Sequence, residues 1–379
     1  MDHHGHRALV IGAGIAGQAA AIALARAGLS VKIVDGPAPK KPSRAMSLWK
    51  NGRAALDKLL GETHAAALPT HALDLVEVRS FAGDLLWAFP AGAWSGPGSA
   101  RSVWHDDLIE CLSRRSKALG VVHQEGALWC LSDDGARVHA VLRSGEELQA
   151  DVVIGADGLH SRVREHLLGP EAPHDLGQEM TCGRLSISAD KLPAWLCAPG
   201  QLLGPGRAFA CQSERARFIA TRLGDDVAWM ATCMLGESIE AAFVGAAPAV
   251  GVLLNCKPRT AAFRLHDRPL AARWVRGGVG LLGESAHPMT PELGQGACLS
   301  LEDAVVLNEC VARLGPRPGL AAYERIRRPR VDWITALAHQ MAITSLPNSR
   351  PLAALRDRLL PRVAPPLSRV VFDRLIAWP

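Results

Sequence analysis

The chain has 379 residues and a mass of 40.3 kDa, a length that at roughly 150 residues per domain suggests two or three folded units. Its 48% hydrophobic and 21% charged residues exclude a wholly disordered chain, and the dispersal of 36 glycines and 25 prolines excludes a collagen-like or low-complexity one. The net charge of +5 is a C-terminal property, because residues 320–379 hold ten arginines, no lysine and four acids; these arginines alternate with apolar residues as on solvated amphipathic helices, a pattern that points away from nucleic acid.

The first apolar run, residues 8–27, is interrupted by Gly12, Gly14, Gly17 and Arg26. It therefore reads neither as a secretory leader nor as a membrane span, which needs about 18 uninterrupted apolar residues. Nine cysteines with no C-x-x-C pair fit buried thiols in a reducing compartment, so the expected location is cytoplasmic. His3, His4 and His6 read as a terminal tail, and no metal is expected.

Residues 8–11 read as a short buried strand that runs into Gly12-Ala13-Gly14-Ile15-Ala16-Gly17. An Ala/Ile/Leu-rich segment of helical length follows to residue 27, with Gly28 placed as a left-handed cap. Residues 30–34 are a second apolar strand, closed by Asp35. Strand, G-x-G-x-x-G, helix, strand and acid is the order a dinucleotide fold requires. Gly12 permits the tight turn, Gly14 lets a pyrophosphate reach the backbone, and Gly17 allows the helix to pack closely on the strand. The helix start offers unpaired N–H groups to the phosphates, and Asp35 would accept hydrogen bonds from the adenosine ribose. This motif alone does not separate FAD from a nicotinamide dinucleotide.

Two later segments add to it. Residues 152–154 form an apolar strand that enters Gly155-Ala156-Asp157-Gly158, with a helix starting near Ser161. Residues 279–282 form another, followed by Gly283-Glu284, a proline-punctuated loop, and a helix opening at Gly294-Gln295-Gly296 whose N-terminus is a second place for negative charge. Strand-like runs occur at 73–78, 208–211, 217–222 and 227–234. From about residue 320 the chain turns helical, with prolines at 347, 351, 361, 365 and 366 expected to break it. No internal repeat is evident.

Together these segments resemble the single-component FAD-dependent aromatic hydroxylases, the class of p-hydroxybenzoate and salicylate hydroxylases. The resemblance spans nearly the whole chain and rests on the glycine fingerprint, Asp157-Gly158, the stretch 283–304, and Tyr323-Glu324-x-x-Arg327-Arg328-Pro329. It implies an α/β fold: a Rossmann-type FAD-binding domain (1–70, 98–175 and 272–319) interleaved with an antiparallel-sheet substrate domain (71–97 and 176–271), then a C-terminal helical region (320–379). It also implies cofactor contacts from Gly12, Gly14, Ile15, Ala16, Gly17, Asp35, Arg44, His105, Asp157, Gly283, Glu284, Pro291, Gly294, Gln295, Gly296 and Ala297. Among these, Asp157 would lie near the pyrophosphate and Glu284 would bond the ribityl chain. Pro288 and Pro291 would line the flavin, with Pro291 beside its reactive face, and the backbone of 293–297 would face the pyrimidine edge. The sequence departs from the family pattern at three positions: Glu284 replaces Asp, His105 replaces Arg, and Asp35 replaces Glu and precedes Gly36.

The reaction implied by the resemblance uses NAD(P)H as a transient reductant and O₂, and works through a flavin C4a-hydroperoxide. It hydroxylates or epoxidises a small aromatic or unsaturated molecule. A flavin oxidase or reductase on the same scaffold stays open, as does a degenerate member that binds a metabolite or partner without catalysis. No catalytic base is named. Tyr323, the chain's one tyrosine, has a structural motif position; His105 reads equally as packing; Arg217 or Arg222 could hold a substrate carboxylate but reads first as surface; Trp229 and Met234 read as core.

Overall fold

Strand Arg7–Ile11 is central to a six-stranded sheet in the computed structural model, which describes residues 5–37, 43–92, 96, 100–186, 191–256 and 259–378. His3 and His4 lie outside the described residues, while His6 lies 3.3 Å from Asp151. The sheet order is Val275–Arg276, Val279–Leu281, Val152–Gly155, Arg7–Ile11, Ser30–Asp35 and Val122–Glu125. All pairings are parallel except that of Val275–Arg276 with Val279–Leu281. The central strands read as unbroken apolar runs because both faces are covered. On one face, helix Ile15–Arg26 buries Ala19, Ala20, Ala21 and Ala23 completely, and these small side chains let it lie close to the sheet and to helix Gly296–Leu314. Asn308 on that second helix donates to the Ala23 carbonyl at 2.8 Å.

A second sheet has seven strands, in the order Arg259–Asp267, His174–Leu185, Asp226–Met234, Arg217–Leu223, Arg207–Gln212, Leu75–Ser80 and Leu85–Phe89. All its pairings are antiparallel except that of Arg207–Gln212 with Leu75–Ser80. Side chains alternate between its two faces. Phe209, Cys211, Phe218, Ala220, Trp229, Ala231 and Cys233 point into a core shared with Ala194–Cys197 and Pro248–Asn255, and Trp229 stacks on Phe218 at 5.4 Å. The register puts Gln212, Arg217, Thr232, Met180 and Phe263 in one row on the opposite face. Ala210, Ile219, Met230, Cys182 and Ala261 form the next row.

Two long helices, Pro316–Ser345 and Arg350–Ile376, close the chain. The interruption falls at Pro347, as expected, with Pro351 in the first turn of the second helix. Pro361, Pro365 and Pro366, expected as breaks, lie inside Arg350–Ile376 instead. All three are exposed, so carbonyls that lose a backbone donor there stay open to water and the helix continues. No helix among the described residues is long and apolar enough to cross a membrane.

Candidate active site

Gly12, Gly14 and Gly17 sit where strand Arg7–Ile11 hands over to helix Ile15–Arg26, at the carboxyl end of the parallel strands where this sheet type receives ligands. Gly12 has φ +102°, and a Cβ there would meet the Ala156 carbonyl oxygen at 2.4 Å and the Asp157 Cα at 3.0 Å. The fingerprint is thus pressed against the Gly155-to-Gly158 turn. A Cβ on Gly17 would lie 1.9 Å from the Gly12 carbonyl. Gly14 differs: it is exposed, and a Cβ there would meet nothing within 4 Å. It is the N-cap of a helix without a side-chain cap or an acid in its first turn, so the first N–H groups face open space. Ile15 is buried, and Ala16 is half-buried with its methyl 2.5 Å from a Cβ built on Gly283. Asp35 ends the adjacent strand, half-buried, with no side-chain hydrogen bond among the described residues.

Asp157 is next to this loop, but its carboxylate is already engaged. It accepts from the Ser161 hydroxyl at 2.5 Å, the Arg162 N–H at 2.7 Å and the Val163 N–H at 3.3 Å, and so caps helix Arg162–Leu168. Burial nonetheless pushes its pKa up. Glu284 is exposed in the turn Gly283–Ser285, its Oε2 3.5 Å from a Cβ built on Gly158. The loop and the Asp157-Gly158 turn therefore meet over the cleft. His105 opens helix His105–Ala118, and its N–H donates to the Arg44 carbonyl at 2.9 Å. Burial and the Arg44 charge hold the imidazole below its ordinary pKa. The Arg44 guanidinium lies 5.6 Å from the centre of the Phe263 ring, on the site-facing side of the second sheet.

Pro291 starts the short turn Pro291–Leu293, and Gly294 follows in the left-handed region with φ +59°. Helix Gly296–Leu314 has no side-chain cap, and a Cβ on exposed Gly296 meets nothing within 4 Å. This is a second open helix N-terminus. The Gln295 side chain turns inward, accepting from Asn51 Nδ2 at 2.9 Å, so Gln295 can offer a ligand only its backbone. Ala297 is half-buried against the neighbouring core. Pro288 lines a cleft of about 290 Å³ with His174, Asp267 and His339.

Behind the loop, Asp303 accepts from the Gly283 N–H at 3.3 Å and from Arg327 Nε at 2.7 Å, and pairs with His287 Nε2 at 2.6 Å. Burial raises its pKa, but His287 and Arg327 outweigh that and hold the carboxyl below its ordinary value. Glu302 pairs with Arg327 at 2.8 Å and Arg330 at 2.8 Å, and accepts from Asn51 at 2.7 Å. Tyr323 donates to the Leu281 carbonyl at 3.2 Å. Tyr323 and Arg327 of the Tyr-Glu-x-x-Arg-Arg-Pro motif thus form a buried clamp, one on the strand that enters the loop and the other on the acids of the helix that leaves it.

Sequence reasoning missed Glu292. Its side chain is 1% exposed, and Oε1 accepts from Arg217 Nη2 at 2.8 Å while Oε2 is buried without a hydrogen bond. Arg217, read first as a surface residue, is itself largely buried. The pair joins the second sheet to the Pro291-to-Gly296 loop, and brings the row Gln212, Arg217, Thr232, Met180 to the side of the sheet on which that loop lies. Arg222 lies at the far end of that strand and donates to the Gly224 carbonyl. Trp229 is core.

These features fit a flavin dinucleotide. Two uncapped helix starts suit the pyrophosphate and an anionic ring edge, exposed Gly14 and Gly296 admit close approach, and Asp35 and Glu284 can accept from ribose and ribityl hydroxyls. The family model described as an FAD binding domain matches residues 6–338. The chain belongs to the FAD-dependent aromatic hydroxylase family. It is 30% identical to a 3-amino-4-hydroxybenzoate 2-monooxygenase of Streptomyces platensis, over 94% of this chain and 92% of that one. It is 27% identical to a 6-hydroxynicotinate 3-monooxygenase of Bordetella bronchiseptica, over 88% and 90%. Among solved structures, Klebsiella pneumoniae HpxO complexed with FAD and uric acid superposes with a TM-score of 0.85 at 24% identity, covering 98% of this chain and 96% of that one. A salicylate hydroxylase substrate complex gives 0.75 at 24%, covering 99% and 98%. FAD is the cofactor, and the chain is an FAD-dependent monooxygenase of this family.

Proposed function

We propose that the enzyme uses NADH or NADPH and O₂ to hydroxylate a small planar aromatic acid that carries a ring hydroxyl, amino or ring N–H group. When bound, FAD supplies the two-electron chemistry that links reductant to O₂. The observation that carries the substrate reading is the Arg217–Glu292 pair. Glu292 Oε2 is a buried acceptor without a hydrogen-bond partner among the described residues, and such groups are costly unless a ligand or water completes them. A substrate O–H or N–H donated to Oε2 would complete it and hold electron density on the ring. Arg217, with Gln212 and Thr232 in the same row, would bind the substrate's carboxylate or carbonyl. Ile219 and Met230 in the next row would cover the ring's apolar face and keep water out. The named substrates of the relatives, 3-amino-4-hydroxybenzoate and 6-hydroxynicotinate, agree with this chemistry.

The site residues divide accordingly. Gly12, Gly14 and Gly17 with Asp35 would hold the adenosine diphosphate half; Glu284 and the 293–297 backbone would hold the flavin half, with Pro291 at its face. Asp157 would act by shaping the turn, because its carboxylate is used as a cap. The domain division would be 1–70, 98–175 and 272–319 for the cofactor, 71–97 and 176–271 for the substrate, and 320–379 for the helical region. It is supported by the separate six- and seven-stranded sheets these stretches build, although a small sheet of Ala45–Leu48, Arg101–Trp104 and His71–Ala72 crosses the division at residue 71.

The test is a panel of hydroxylated and aminated benzoates and nicotinates, scored by perturbation of the flavin spectrum and stimulated NAD(P)H oxidation. Ring acids with a donor should perturb the spectrum, and methyl ethers of the same acids should do so at least about tenfold more weakly. Equal effects of acid and ether would overturn the role given to Glu292.

A further inference from the structure

The C-terminal helix carries a feature that the hydroxylase reaction does not use. Leu352, Leu355, Leu359, Val363, Leu367 and Val370 are between 46% and 69% exposed. They follow one another at steps of three or four residues, the spacing that puts side chains on one helix face. The buried residues of Arg350–Ile376 are Ala353 near its start and Phe372, Leu375 and Ile376 near its end. The helix is pinned at both ends, with Phe372 edge-on to Phe89 at 4.6 Å and to Trp49 at 5.2 Å, and its middle presents an apolar stripe to solvent.

We propose that this stripe docks the enzyme on an anionic lipid surface. Charge selects this occupant. The helix holds six arginines, no lysine and two acids. At about 100° per residue, the exposed Arg358, Arg362 and Arg369 run along one edge of the stripe; Arg369 is paired with Asp373 at 3.2 Å, so Arg358 and Arg362 supply the charge that a headgroup would meet. An apolar face bordered by arginines is the pattern of a helix that lies in a headgroup layer. A second copy of the chain fits less well. The stripe is roughly 27 Å long and about 10 Å wide, far below the ~800 Å² per partner of a stable interface. Antiparallel twofold pairing of such stripes would also bring the two arginine rows together.

The full FAD-loaded chain should be co-sedimented with phosphatidylglycerol vesicles and with phosphatidylcholine vesicles. Binding to phosphatidylglycerol should exceed binding to phosphatidylcholine by about tenfold or more and fall as salt is raised. Leu359→Glu with Val363→Glu should abolish it while flavin absorption stays unchanged. Arg358→Glu with Arg362→Glu, which leaves the apolar face intact, should weaken it by about tenfold or more and keeps the test decisive if the first variant misfolds. Failure of the wild-type protein to bind phosphatidylglycerol overturns the proposal. So does a wild-type dimer in sedimentation velocity that Leu359→Glu with Val363→Glu converts to monomer, in a protein that ignores vesicles.

Discussion

Arg217 and Glu292 are 75 residues apart in the chain, yet the guanidinium donates to the Glu292 carboxylate at 2.8 Å and ties the second sheet to the Pro291-to-Gly296 loop. Breaking one half of a buried pair strands the other charge, at a cost of about 3–5 kcal/mol. Arg217→Met should therefore lower stability by roughly 3 kcal/mol in urea unfolding. Arg217→Lys keeps the charge and loses the planar fork. It should unfold close to wild type but show a KM raised at least about tenfold. Steady-state kinetics on both variants separate holding the loop from binding the substrate.

The glycine fingerprint yields a pair with opposite outcomes. Gly14→Val puts its side chain into open space, so the protein should fold with a wild-type circular dichroism spectrum and lose FAD. Gly17→Ala would place a Cβ 1.9 Å from the Gly12 carbonyl and should fail to fold, seen as loss of soluble protein. A Gly14→Val protein that keeps its flavin contradicts the assignment of this loop.

The clamp behind the flavin loop has a pH signature. Burial raises the Asp303 pKa, but His287 and Arg327 bring it below the usual carboxyl value. A depressed folded pKa gives stability that is present above the unfolded value of about 3.9 and is lost as pH falls through the folded one. Arg327→Met removes the partner that Asp303 and Glu302 share, so acid unfolding should begin at higher pH and flavin should be released more readily. Far-ultraviolet circular dichroism and flavin fluorescence across a pH titration measure both.

His105 stands where the resemblance implies an arginine. Burial and Arg44 lower its pKa, so the imidazole is neutral at neutral pH. His105→Gln should leave FAD affinity at pH 7 within about threefold, since no charge is lost. The wild type should lose stability as pH falls below about 6.5, where the unfolded chain takes up the proton first. The glutamine variant should show a shallower slope in pH-dependent thermal melts, the remainder coming from His71, His123 and His166, whose burial also lowers their pKa.

Much of this was legible in the sequence because backbone requirements leave fixed residues. A tight turn at φ +102° beneath a carbonyl admits only glycine at position 12, and Gly283 is held likewise against Ala16 and Ser300. What escaped depends on where side chains go after the backbone is set. Pro291-to-Gly296 was read for its turn and helix start, which hid Glu292, whose partner lies on a distant strand that only sheet register brings near. Asp157 was read as facing the cofactor, whereas three donors one turn downstream draw its carboxylate into a cap. Arg217 was discounted because alternation on a strand does not tell which face another domain covers. Pro361, Pro365 and Pro366 misled because their cost falls when freed carbonyls stay in water.

If the proposed function is right, oxygen from O₂ enters an aromatic ring held between Arg217, Glu292 and the flavin. Turnover under isotopically labelled O₂ tests it most directly, with NAD(P)H and the aromatic acid that best perturbs the flavin spectrum, followed by mass spectrometry of the product. The expected result is a hydroxylated product carrying a single labelled oxygen, with Arg217→Met diverting most of the label to hydrogen peroxide. Labelled peroxide beside an unchanged ring acid in the wild-type reaction would contradict it and make the chain an oxidase on the same scaffold.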